Sequence, residues 1–169
     1  MGPAMRKALK FLHTLGAAAY IGALLAYAVI LTYAPQGTPR GYADMRANID
    51  LICSYLLVPS LGIVLVSGLL AMAAHKPFLD LRWVWVKAAL GIGTFEGTLV
   101  IVSGRARSAA GLAEDIAAGK AEPAALAAVI ASEWGGLAVI GALAVANVVL
   151  GVWRPALWKP APAGISAGA

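Results

Sequence analysis

Four long apolar stretches alternate with shorter polar segments along the chain. They cover residues 9–33, 51–74, 83–103 and 135–153. Each is close to the roughly 20 residues that an α-helix needs to cross about 30 Å of hydrocarbon. Membrane β-strands would instead alternate apolar and polar residues over about ten positions. The pattern therefore predicts an all-α fold, a four-helix transmembrane bundle that runs up-down-up-down.

The polar segments predict how the helices are joined. The first connection, 34–50, is rich in proline and glycine in its first half, so an irregular start and a helical approach to the second span are expected. The segment 104–134 is rich in alanine and predicts a helical extramembrane loop. Its two short helices would cover 108–118 and start again near Pro123. The second of them, over 124–130, is apolar enough to lie on the bilayer or to merge with the fourth span. Residues 156–169 predict a flexible tail.

Composition supports a single integral membrane domain over residues 1–169, with the lipid bilayer as its main partner. Apolar residues make up 61% of the chain and charged residues only 12%. The net charge of +5 is spread over short segments beside helix ends, which argues against nucleic-acid binding. Basic residues are more frequent on the side that holds both termini, which favours cytoplasmic termini.

Several polar residues inside the spans predict a shared polar layer. With 1.5 Å of rise per residue, His13 and Lys87 lie at nearly the same depth. Ser67 in the second span and Asn147 in the last span reach a similar level. Tyr20 follows His13 along one helical face. We therefore predict a cofactor site formed by His13, Lys87, Tyr20 and Asn147, provided that the helix rotations bring them together.

Both charged members of this layer have a simpler interpretation. His13 can serve as a haem or metal ligand when its other ring nitrogen is held, but it can also be a packed or interfacial histidine. Lys87 can bind an anionic group, or its four methylenes can lift the amine to the membrane surface. Both alternatives stay open for each residue at this point.

Glu96 lies within the third span but nine residues after Lys87, on nearly the opposite helical face. A carboxylate at that depth is costly unless it is protonated, hydrogen-bonded or in contact with a partner subunit. Gly93 and Gly97 border it and form a small-xxx-small pair that permits close helix contact. These three residues predict a helix-packing or partner face, in a homo-oligomer or a larger membrane complex.

Short motifs in the first three spans resemble a group of small bacterial membrane proteins. They are Lys10-Phe-Leu-His13 with Gly16, Pro59 with Ser67-Gly68, and Trp83 with Lys87. The group includes the copper-resistance D-like membrane domain, the membrane protoporphyrinogen oxidase HemJ and their four-helix relatives. The resemblance implies a bacterial inner-membrane location, haem b at His13, and Lys87 near the substrate or cofactor. The oxidase pattern continues with an aromatic residue and a histidine, where this chain has Phe95-Glu96.

Three classes of function follow from these observations. The first is a haem- or porphyrin-binding protein that uses His13 and Lys87, and whether it is an enzyme stays open. The second is a non-catalytic accessory or structural subunit that packs through glycine- and alanine-rich helix faces. The third is a carrier of small solutes or protons that uses Glu96. Copper transport is disfavoured because the four methionines are scattered and there is one cysteine.

Overall fold

The computed structural model describes residues 2–33, 37–74 and 82–153, which form four long helical rods. The first rod is α1. The second consists of α2, a π-helical segment and α3, and the third of α4, a second π-helical segment and α5. The last is α6. The bounds are α1 Pro3–Thr32, α2 Pro39–Ile52, first π segment Cys53–Leu57, α3 Val58–Ala74, α4 Arg82–Gly97, second π segment Thr98–Ser103, α5 Gly104–Ala117 and α6 Ala125–Trp153.

All four rods are long and apolar enough to cross a membrane, and the predicted all-α four-helix bundle is confirmed. The second and third rods are 36 residues each, which corresponds to about 54 Å of α-helix. Because this exceeds the hydrocarbon thickness of about 30 Å, both rods extend beyond the bilayer. The predicted flexible tail and the segment 75–81, between the second and third rods, lie outside the described residues.

Residues 104–134 form fewer separate helices than their composition predicts. α5 continues the third rod without a break, and it ends before Gly119, whose φ of 72° is favourable for glycine. The helix expected near Pro123 is the first part of α6 and merges with the fourth span. The predicted helical approach to the second span is α2, which starts at Pro39 with the Thr38 hydroxyl accepting a hydrogen bond from the Gly41 amide at 3.1 Å.

The first π segment ends just before Pro59. Proline has no amide hydrogen, and its ring collides with the carbonyl four residues earlier in a regular α-helix. Here the Val58 amide donates to the Cys53 carbonyl, five residues back. The wider turn is one way in which a helix accommodates such a proline.

The helices enclose a core in the order α1, α3, α4 and α6, and each packs against the next. We call the end where α1 and α4 begin the proximal end, and the end where α6 begins the distal end. At the distal end α2 and α5 pack against each other beyond the predicted spans. Large apolar side chains cover the outside of the spans, as expected for lipid contact, including Phe11, Leu25, Val100 and Val145.

Candidate functional site

A cavity of about 150 Å³ lies between α1, α3, α4 and α6 in the proximal half of the bundle. Small residues on its wall keep side chains out of this space. They are Ala17, Gly68, Ala88, Gly91 and Ala144. Most of the lining is apolar, and its polar members come from three different helices. They are His13, Tyr20, Lys87, Thr94 and Asn147.

The His13 ring is held in one orientation by α3. Its Nδ1 lies 2.9 Å from the Val64 carbonyl oxygen and 3.2 Å from the Ser67 hydroxyl oxygen. A carbonyl can only accept, so Nδ1 carries the proton and donates it. In the neutral imidazole the lone pair is then on Nε2. Gly68 makes this packing possible, because a Cβ atom there would lie 3.2 Å from the ring carbon Cε1.

Lys87 crosses from α4 to α6 and donates from Nζ to the Asn147 carbonyl oxygen at 2.8 Å. The amine passes over Gly151, where a Cβ atom would lie 2.5 Å from Nζ. The side chain of Asn147 turns the other way, with Nδ2 donating to the Leu143 carbonyl oxygen at 3.3 Å. Lys87 is half-buried, and one backbone acceptor is found for it within the described parts of the chain, which leaves two of its three ammonium hydrogens for a ligand.

Tyr20 closes the deeper wall of the cavity. Its hydroxyl lies 2.9 Å from the Thr98 hydroxyl oxygen in the second π segment, and both residues are buried. The four residues predicted to share a cofactor site therefore line one cavity. The helix rotations that the sequence left open do bring His13, Lys87, Tyr20 and Asn147 together.

The donor set has clear chemical limits. Among the described residues no group of three or more histidine, cysteine, aspartate or glutamate side chains could hold a metal ion. Among the described residues His13 is the side chain that would bind the iron of a haem, since the porphyrin itself would supply the remaining nitrogen ligands. The cavity is smaller than the roughly 300–1,000 Å³ of pockets for drug-sized ligands. A complete porphyrin therefore requires the lining helices to separate.

The predicted partner face is only partly turned outward. Gly93 and Glu96 are exposed on the outer side of α4, opposite the cavity-lining Lys87, as the nine-residue spacing predicted. Gly97 is used inside the molecule, because a Cβ atom there would lie 2.7 Å from the Cδ1 atom of Ile140 in α6. Gly97 thus serves the contact between α4 and α6.

A buried ion pair at the distal end was not predicted from the sequence. The Arg46 guanidinium of α2 donates from one nitrogen to both carboxylate oxygens of Glu133 in α6, at 3.0 and 2.8 Å. The two residues are 0% and 2% exposed. The Tyr27 hydroxyl donates to the same carboxylate at 2.5 Å, and the Tyr42 hydroxyl accepts from two other guanidinium nitrogens at 2.7 and 3.0 Å. This arrangement joins α1, α2 and α6.

The sequence contained one signal for this cluster. Tyr27 lies on the same helical face as His13 and Tyr20, which indicated a second inward-facing hydroxyl near the other end of α1. Arg46 and Glu133 lie outside the apolar stretches and resemble charges that orient a membrane protein. Their pairing across 87 residues depends on how far α2 extends from α3, which composition does not specify.

Gly151 should determine the position of the Lys87 amine. In Gly151→Ala the new methyl group would collide with Nζ, so we expect Lys87 to leave the Asn147 carbonyl. Labelling of Lys87 by an amine reagent, followed by mass spectrometry, should become about fivefold faster, as expected for loss of a hydrogen bond worth about 1 kcal/mol. Gly141→Ala is the matched control, because no neighbour lies within 4 Å there. Equal labelling in the two variants would contradict this role of Gly151.

Comparison with known proteins assigns the chain to a family. A search of curated proteins found no match, and a search of solved structures found none. A family described as "Predicted integral membrane protein (DUF2269)" matches residues 7–155, a range that includes nearly all of the four helical rods. The match gives no support to the copper-resistance or protoporphyrinogen oxidase groups in particular. The chain belongs to the DUF2269 family of predicted integral membrane proteins, and it is a multi-pass protein of the lipid bilayer.

Proposed function

We propose that this protein binds haem, or a closely related metalloporphyrin, in the cavity between α1, α3, α4 and α6. The observation that carries the proposal is the state of His13. The Val64 carbonyl fixes the proton on Nδ1, so Nε2 is the nitrogen with a free lone pair. Haem-ligating and metal-ligating histidines are commonly held in this way by a carbonyl on the other nitrogen.

Lys87 supports an anionic ligand in the same cavity. A haem carries two propionates, and burying a carboxylate in an apolar cavity is favourable only when a cation or donors accompany it. Lys87 offers one positive charge and two further donors. The Asn147 carbonyl oxygen of α6 holds the Lys87 amine in place. A bound haem would supply an iron capable of one-electron transfer, and this chain would contribute His13 as an iron ligand, Lys87 as the charge partner and an apolar lining that limits access of water.

The size of the cavity sets an expectation for binding. Since about 150 Å³ is insufficient for a macrocycle, haem must separate the helices that line the cavity. We further propose a bacterial inner-membrane location with both termini in the cytoplasm, which puts the cavity in the cytoplasmic leaflet.

The test uses the full chain, purified in mild detergent from its own membranes and then titrated with haem and with iron-free protoporphyrin. We expect a Soret band at one haem per chain. His13→Ala should remove the iron-dependent part of the affinity and leave protoporphyrin binding unchanged. Lys87→Met should weaken both ligands, by roughly tenfold for a lost charge-assisted contact.

Thr14→Ala is the matched control for these variants. Thr14 is next to His13 but exposed, and its hydroxyl donates to the Lys10 carbonyl of its own helix. It should bind both ligands like the natural chain. A protein that stays colourless after haem titration would overturn the proposal. A colourless protein that also retains other subunits during purification would favour the accessory role instead.

A further inference from the structure

The outer face of α4 carries a regular seam that none of the described parts of the chain covers. Val86, Ala89, Gly93 and Glu96 are all exposed, and they are spaced by three, four and three residues. This is the spacing of the a and d positions with which helices pair in left-handed coiled coils and in many membrane bundles. Two of the four residues are small, so another helix can approach closely. The seam is independent of the cavity, which lies on the other side of α4.

Glu96 makes this seam unsuitable as a lipid-facing surface. It lies 14 residues after Arg82, about 21 Å along the helix, and therefore well inside the hydrocarbon region. No hydrogen bond or ion pair to Glu96 is found among the residues that the structure describes. Acidic residues at such depth almost always face protein or water rather than lipid. The carboxyl group therefore needs a partner beyond the residues that the structure describes.

We propose that the partner is a second copy of the same chain, packed α4 to α4 about a two-fold axis along the membrane normal. Two copies inserted with the same orientation have their residues at equal depths, so this axis sets Glu96 opposite Glu96 and Gly93 opposite Gly93. A protonated carboxyl group has one donor and at least one acceptor. Two such carboxyl groups that face each other can each donate a hydrogen bond to the other, so no further residue is needed.

A heterologous partner is less well matched by the same observations. It would need its own donor or cation at the depth of Glu96, which no feature of this chain specifies. A second copy supplies the required group automatically. The shallow groove between α4 and α6, lined by Ala89, Leu90, Gly93 and Leu143, gives each copy a place for the side chains of the other.

Disulfide cross-linking in native membranes tests the proposal. The background is Cys53→Ala, which removes the chain's one cysteine. Gly93→Cys should form a dimer on mild oxidation, because glycine at this position permits the Cα separation of about 4.4–6.8 Å that a disulfide requires. Leu25→Cys is the control, since Leu25 is 62% exposed on α1 and should give no dimer. Co-expression of a tagged and an untagged copy should give three cross-linked bands.

Substitutions of Glu96 test the role of its carboxyl group. Glu96→Gln keeps a donor and an acceptor and should retain the dimer. Glu96→Leu should lower the dimer association constant by roughly threefold to tenfold, the range supplied by one or two interhelical hydrogen bonds. Thermal unfolding of the monomer should be unchanged in both variants. No cross-link, a cross-link to another protein, or equal association of the Gln and Leu variants would overturn the proposal.

Discussion

Glu133→Ala should be among the most destabilising single substitutions in this protein. Of the carboxylates that the structure describes, it removes the one that pairs with the Arg46 guanidinium, which is 0% exposed, and it takes away the acceptor of the Tyr27 hydroxyl. Breaking a buried ion pair by removing one partner typically costs about 3–5 kcal/mol, because the other charge stays buried and uncompensated. The thermal midpoint, measured by circular dichroism in detergent, should fall by roughly 10 °C.

Two further variants show whether the buried charge is the cause. Arg46→Met combined with Glu133→Leu removes both charges, so it should recover most of the loss. The Arg40–Glu114 bridge also joins α2 to α5, at 2.7 Å, but both of its side chains are exposed. Glu114→Ala should therefore leave the midpoint nearly unchanged. A midpoint in the double variant as low as in Glu133→Ala would contradict this explanation.

Gly16→Ala should also destabilise the bundle, through α1 and α3. A Cβ atom at residue 16 would lie 3.0 Å from the Ser60 carbonyl oxygen and 3.0 Å from a methyl group of Val64. The carbonyl belongs to the backbone of α3 and cannot rotate away as a side chain could. The two helices must therefore separate, and overpacking of this kind costs about 1–3 kcal/mol. The unfolding midpoint in detergent should fall accordingly.

Gly22→Ala provides the comparison on the same helix. No neighbouring atom lies within 4 Å of a Cβ atom at residue 22, and the residue is exposed. Its alanine variant should be neutral or slightly more stable, since alanine favours helix more than glycine does. If both variants were equally stable, close contact at Gly16 would not be the determinant of α1–α3 packing.

The four-helix architecture could be predicted because the length and the hydrophobicity of an apolar stretch are almost sufficient to identify a membrane helix. Counting residues from the ends of the apolar runs gave the correct common level of His13, Lys87 and Asn147. The opposite directions of Lys87 and Glu96 followed from a separation of nine residues. These predictions needed only the rise and the rotation per residue of a single helix.

The distal end could not be predicted in the same way. There the contacts depend on how two rods continue beyond the bilayer. The composition of 104–134 indicated short helices separate from the spans, whereas α5 continues the third rod without a break. Charged residues outside the spans carry two kinds of information, orientation in the membrane and pairing within the fold. For Arg46 and Glu133 the sequence indicates a role in orientation, whereas their pairing can be recognised only once the distance between them is known.

The two π segments change the directions in which side chains point along the second and third rods. Each residue of an α-helix turns the chain by about 100°, and a π-helical turn contains one residue more than an α-helical turn. The part of a rod distal to such a turn is therefore rotated relative to the proximal part. In the third rod, α5 is therefore rotated about the helix axis relative to the position that an unbroken α-helix would give it after α4. One face of α4 can thus line the cavity while a separately oriented face of α5 packs against α2. A length change of one residue within Thr98–Ser103 would alter the rotation between α4 and α5, so the two contacts could no longer form together.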